Sequence, residues 1–177
     1  MTMEIRPEVF TADYTGRPGE RTFFLQSRSE TLTLTYLLEK GQVEVLGEKL
    51  KELLLMIDPQ DPIRSSDPQR NPMYALSAPI EPEWRVGTIG LTYQEDQSLV
   101  VVALQPVEPA EEEAAPTGPE EVEDFAVQIM ITPDQARGFV AHALAIVAEG
   151  RPLCQLCGLP MDPDGHNCPA SNGHRLT

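Results

Sequence analysis

The chain reads strand, strand, helix twice over and then ends in a cluster of cysteines and histidines. That order predicts an α+β fold, with an antiparallel sheet of about five strands, two helices on one face and a short separate tail. Three observations carry the prediction. Two stretches have apolar residues at helical spacing, β-rich runs precede each of them in pairs, and 177 residues with 41% hydrophobic content suit one ordinary core. The expected organisation is a main domain over residues 1–150 and a tail over 151–177.

The first pair of strands is 21–27 (RTFFLQS) and 31–38 (TLTLTYLL), in which Leu32, Leu34 and Tyr36 alternate with threonines. A short polar turn between them suits a hairpin. The spacing then becomes helical, with Val43, Leu46, Leu50, Leu53, Leu54 and Ile57 on one stripe, until Asp58-Pro59 stops it. Residues 58–82 contain six prolines and no sustained period, which predicts an irregular connection.

The second pair, 84–93 (WRVGTIGLTY) and 99–107 (LVVVALQPV), is joined by a polar five-residue turn, and Gly87 and Gly90 are candidates for a bulge or a close backbone approach. Residues 109–124 carry seven carboxylates and no base, as expected of a solvated loop. A fifth strand over 125–131 leads into Thr132-Pro133, an N-cap followed by an N1 proline. The helix that follows buries Ala136, Phe139, Val140, Ala143 and Val147, and Gly150 ends it. His142, between two alanines, is expected to be partly exposed on this helix. Trp84 is expected at the edge of the core rather than on a ligand platform.

A shift of 93 residues lays the second helix on the first, placing Gln135 on Gln42, Phe139 on Leu46, Ala143 on Leu50 and Val147 on Leu54. A duplicated strand-strand-helix unit is one explanation, and chance similarity between two amphipathic helices is the other.

The formal net charge is −15 with only 13 Lys and Arg, which excludes a basic nucleic-acid face. No run of residues is long and apolar enough for a membrane span, and the N-terminus has no basic stretch leading into an apolar one. The expected location is the cytoplasm. Three cysteines make an odd count for a disulfide framework, and a Cys-x-x-Cys pair in a reducing compartment more often holds metal.

All three cysteines lie in the tail, as Cys154-x2-Cys157-x8-His166-x-Cys168-x5-His174, a spacing suited to one tetrahedral zinc ion. Gly158 allows the left-handed turn of a zinc knuckle, and Asp162-Pro163-Asp164-Gly165 can return the chain to bring up the second ligand pair. Cys154, Cys157 and Cys168 supply three thiolates. The fourth ligand is His166, which is favoured, or His174. Four protein ligands leave no position for water or substrate, so the expected Zn2+ is structural.

The segments FFLQSRS, LEKGQVEVLGEKLKELL, WRVGTIGLTY and CQLCGLPMDPDGHNCPASNGH together resemble a bacterial family of uncharacterised proteins, a domain of unknown function. The resemblance covers nearly the whole chain. The family's C-terminal signature, roughly CPxCGxPxDPxGHxCPRxNG, implies His166 rather than His174 as the fourth ligand. Gln155 and Ala170 stand where that signature has proline and arginine, which weakens any anion-binding role for the second position.

No phosphate-binding glycine loop, nucleophile elbow or HExxH is present in the sequence. The expected role is therefore a non-catalytic, zinc-stapled binding or adaptor protein with a protein partner. An enzyme of unrecognised type, or a thiol and zinc redox sensor using Cys154 and Cys157, are the alternatives.

Overall fold

A computed structural model describes residues 1–61, 68–108, 125–149, 153–159, 161, 166–171 and 175–176. The elements in order are β1 (Met3–Ile5), β2 (Val9–Thr15), β3 (Thr22–Arg28), β4 (Thr33–Leu38), α1 (Lys40–Ile57), β5 (Pro82–Gln94), β6 (Leu99–Pro106), β7 (Val127–Ile131), α2 (Pro133–Ala148), β8 (His166–Asn167) and β9 (Arg175–Leu176). The α+β class stands. The sheet, however, has seven strands in the order β1-β7-β6-β5-β4-β3-β2 and is mixed rather than antiparallel, because β4 pairs parallel with β5 and β1 parallel with β7.

The difference has two physical sources. After β4 the chain passes through α1 before β5, and a helical crossover returns a strand parallel to the one it left. Two additional strands fall in residues 3–15: β1 is only three residues long, and in β2 alternation is hidden because Phe10, Thr11, Ala12 and Asp13 are all buried. The short β8–β9 ladder is separate from this sheet.

β1 and β2 stand at opposite ends of the strand order, yet only Arg6, Pro7 and Glu8 separate them. Such a connection spans at most ~14 Å, so the sheet must curl until its ends nearly meet. Gln135 at the start of α2 secures the link, its side-chain amide donating to the carbonyls of Pro7 (2.8 Å) and Glu8 (3.1 Å).

One face of the sheet and both helices share a single apolar core. Phe10, Leu25, Tyr36, Val102 and Ile129 contribute from the strands, Val43, Leu46 and Leu50 from α1, and Phe139, Ala143 and Ile146 from α2. Gly47 lets the helices meet closely, since a Cβ there would lie 2.9 Å from Leu144. Trp84 packs at the core edge, its ring 4.6 Å from that of Tyr36. Both glycines of β5 behave as the sequence suggests. The ladder shifts register around Gly87, and at Gly90 the Phe125 ring leaves 3.1 Å for a Cβ.

Two units of three antiparallel strands and a helix are now visible, β2-β3-β4-α1 and β5-β6-β7-α2. The pair Phe23–Leu38 before α1 corresponds to Val100–Ile131 before α2. Each helix opens with a glutamine three residues past its N-cap that accepts the cap N–H, Gln42 from Glu39 (2.9 Å) and Gln135 from Thr132 (2.8 Å). Each glutamine also donates to a strand carbonyl of the other unit or its lead-in, Gln42 to Val86 (3.0 Å) and Gln135 to Pro7. The 93-residue shift between the helices therefore describes a repeat of the architecture. The acidic segment 109–124, which lies between β6 and β7 in the second unit only, is outside the described residues, as is Gly150.

Candidate metal centre

The sequence bends at Gly158, which adopts φ +73°, a conformation that glycine reaches without the strain a Cβ would bring. Around it the N–H of Gly158 donates to the carbonyl of Cys154 (2.8 Å), and the N–H of Cys154 to the carbonyl of Leu159 (2.8 Å). This compact turn holds two thiols on one side. β8 and the 3-10 turn Pro169–Ser171 flank Cys168, so His166 and Cys168 arrive from a second short element.

The sulfurs of Cys154, Cys157 and Cys168 and one imidazole nitrogen of His166 all lie within 4.8 Å of one another. Cys154 Sγ is 3.8 Å from Cys168 Sγ, and Cys157 Sγ is 3.8 Å from His166 Nε2. Ligands at about 2.3 Å from the centre of a tetrahedron are about 3.8 Å apart, so the spacing suits one ion. Cys154 and Cys168 are buried, Cys157 and His166 half-buried. The four residues are thus positioned to bind a metal ion. His174 lies outside the described residues, as do Asp162, Pro163, Asp164 and Gly165.

Electrostatics favour a thiolate at the first ligand. The N–H groups of Cys157 and then Leu156, followed by the His166 side chain, bring the Cys154 thiol down to about 6. Burial pushes the neighbouring Cys157 thiol up, against the N–H of Leu159. The turn's N–H groups thus favour the charged form of Cys154, and a thiol that binds an ion gives up its proton to do so.

His142 does not lie on the surface as its alanine neighbours suggest. It is 1% exposed, with Nε2 3.0 Å from Asp13 Oδ2. Its Nδ1 accepts the N–H of Asn71 (3.0 Å), which fixes the ring proton on Nε2, directed at Asp13. The correction follows from the packing of α2 along the open edge of β2. Phe10 and Asp13 project to opposite faces of that strand, yet Phe10 stacks on Phe139 (4.7 Å) while Asp13 meets His142, so the helix serves both faces.

Around this pair, Arg70 reaches Asp13 (3.4 Å) and Glu149 (2.9 Å), and Tyr14 donates to Glu149 (2.6 Å). Arg21 donates to the carbonyl of Glu149 and lies over the Tyr14 ring. Both nitrogens of His142 are engaged and shielded, so the group ties together β2, α2 and the connection before β5. Sequence reading misses it, although position 142 falls on the stripe of Phe139 and Ile146. Over this region, residues 71–78 are bonded down onto the sheet. Thr11 donates to the carbonyl of Tyr74, Gln26 exchanges bonds of 2.9 Å with Ser77, and Arg28 donates to the carbonyls of Ala75 and Met73.

No helix among the described residues is long and apolar enough to cross a membrane. No curated protein and no solved structure matches the chain. The family described as "Protein of unknown function (DUF3090)" matches residues 5–168, a span that takes in β2 to β7, both helices and all four candidate ligands, and the chain belongs to that family.

Proposed function

We propose that this is a zinc-binding protein whose ion is structural and whose role is the non-catalytic binding of a protein partner, as an adaptor would, in the reducing cytoplasm. The observation that supports the zinc is the convergence of three sulfurs and one imidazole nitrogen at tetrahedral spacing. Cys154, Cys157, His166 and Cys168 fill a four-coordinate shell, and a Cys3His set is one that zinc favours. Zinc in such a set contributes folding free energy of about 10–16 kcal/mol to small domains, ample to order a tail with little core of its own. The tail so formed is a unit distinct from the main domain, and it completes the surface that a partner reads.

Elemental analysis of protein purified in reductant, without chelator or affinity metal, tests the reading. It should give one zinc per chain, with thiols that react only after chelation. Cys157→Ser should lose the zinc while the main domain keeps its cooperative unfolding. Absence of metal together with fast-reacting thiols would sink the structural zinc. It would promote a redox-sensing use of Cys154 and Cys157, for which the low thiol of Cys154 is the supporting observation.

A further inference from the structure

Between α1 and β5 lies an apolar groove of about 850 Å3, lined by Val45, Leu46, Lys49, Met56, Ile89 and Leu91. Val45 is 59% and Met56 75% exposed, although both lie on a helix whose other face is deep in the core. The internal repeat supplies a filled version of the same groove. Matching Gln42 to Gln135 places Val45 on Gly138, Lys49 on His142 and Met56 on Glu149. Counting back from Thr15–Thr22 and Gln94–Leu99, the last pairs before each unit's first turn, places Ile89 on Phe10 and Leu91 on Ala12.

In the second copy each of these positions is buried or contacted by another segment. Tyr74 lies against Gly138 so closely that a Cβ there would overlap its hydroxyl, and its ring stacks on His142. Asn71 bonds His142 and Arg70 bonds Glu149, while Phe10 and Ala12 are fully buried. The covering chain, Arg70–Tyr74, belongs to the connection that follows α1. By the same relation, the segment that follows α2 is the counterpart of that covering chain, and that segment is the tail, although among the described residues none of it lines the groove on α1.

The tail has the chemistry to fill it. Leu153, Leu156 and Leu159, spaced around the Cys154–Cys157 turn, are 65%, 62% and 49% exposed. A small element displaying three leucines and a groove displaying aliphatic side chains each leave apolar surface in water that their contact would remove. We propose that the metal-loaded knuckle docks through Leu153, Leu156 and Leu159 into the α1/β5 groove of its own chain, as Arg70–Tyr74 docks on α2. The proposal rests on the zinc reading, since the ion is what would hold the knuckle rigid enough to dock.

The test places a photo-reactive benzoylphenylalanine at the exposed position 45 of the full-length, zinc-loaded protein and maps the cross-links by mass spectrometry. Cross-links within one chain, from position 45 to residues 153–159, are the expected result. Leu156→Asp, at an exposed site that leaves the fold intact, should lower their yield about tenfold, the factor carried by loss of one buried leucine. Cross-links only between two chains, or none, would overturn the proposal. Metal content of the same sample separates the two readings. Zinc bound without the cross-link sinks the docking alone, a cross-link without zinc sinks the structural-zinc reading and with it the metal-loaded form of the docking, and absence of both sinks the two together.

Discussion

Replacing His142 by Ala tests the largest departure of the structure from its sequence. The substitution removes the Nε2–H bond to Asp13, whose carboxylate is 2% exposed, and the acceptor of the Asn71 N–H. Among the described residues, Asp13 would keep its own neighbour's N–H, from Tyr14 at 2.8 Å, and a long 3.4 Å contact with Arg70. A lost hydrogen bond to a buried charge costs about 1.5–3 kcal/mol and a stranded buried N–H about 1–3 kcal/mol. With partial relief by water entering the space, the total should be about 3–5 kcal/mol. Urea unfolding followed by Trp84 fluorescence reads this directly. With a slope of about 2 kcal/mol per molar, the midpoint should fall by about 2 M at unchanged slope. His142→Gln, which can keep one of the two bonds, should recover part of the loss. A midpoint shift below about 0.5 M for His142→Ala, equivalent to ~1 kcal/mol, would mean that the side chain is solvated and the description of this buried group is wrong.

Gly47→Leu should destabilise the main domain by about 1–3 kcal/mol through overpacking, because Leu144 already lies 2.9 Å from where a Cβ would be; an unchanged melting temperature would refute the close approach of the helices. At Gly158 no atom lies within 4 Å of a would-be Cβ, so Gly158→Ala meets only the cost of φ +73°. That cost, about 1–2 kcal/mol, should weaken zinc binding in chelator competition by roughly five- to thirtyfold, and equal affinity would argue against the left-handed turn. In the zinc-free protein, Cys154 falls from an ordinary 9.0 to about 6, so the unfolded tail binds more protons between those values. The knuckle's stability should therefore rise with pH from about 6, be fully gained by about 9, and be lost again on acidification. Cys157, pushed upwards by burial, acts in the opposite sense at higher pH. If the turn persists without the ion, thiolate absorbance should show one group titrating near pH 6; a titration in which all three thiols ionise above pH 8 would mean that the turn forms only with the ion bound.

The parts legible in the sequence are those whose determinants are local. The stripes of Val43-Leu46-Leu50-Leu54 and Ala136-Phe139-Ala143 locate both helices because burial of one helical face imposes a 3.6-residue period, and Asp58 and Thr132-Pro133 mark boundaries through backbone chemistry that needs no distant partner. The candidate metal cluster is legible for the same reason, since its four ligands all fall between residues 154 and 168 of the chain. Even the repeat is detectable between the helices, where Gln42 and Gln135 perform one capping task twice.

Tertiary structure alone decides how these pieces close. β2 escapes notice because a strand buried on both faces has no alternation, β1 because three residues are too few to show a period, and the mixed sheet arises because the crossover through α1 fixes strand direction after the strands themselves are specified. His142 is interior because β2 presents its open edge to α2, a fact carried by residues 129 positions away from it. The α1/β5 groove is recognisable as unfilled only beside its covered counterpart. By itself, the sequence determined both helices, five strands of the main sheet and the candidate ligands, through interactions between residues close in the chain. The curl of the sheet, the burial of Asp13 and His142 and the unequal covering of the two helices were decided by contacts between distant residues, which no local pattern encodes.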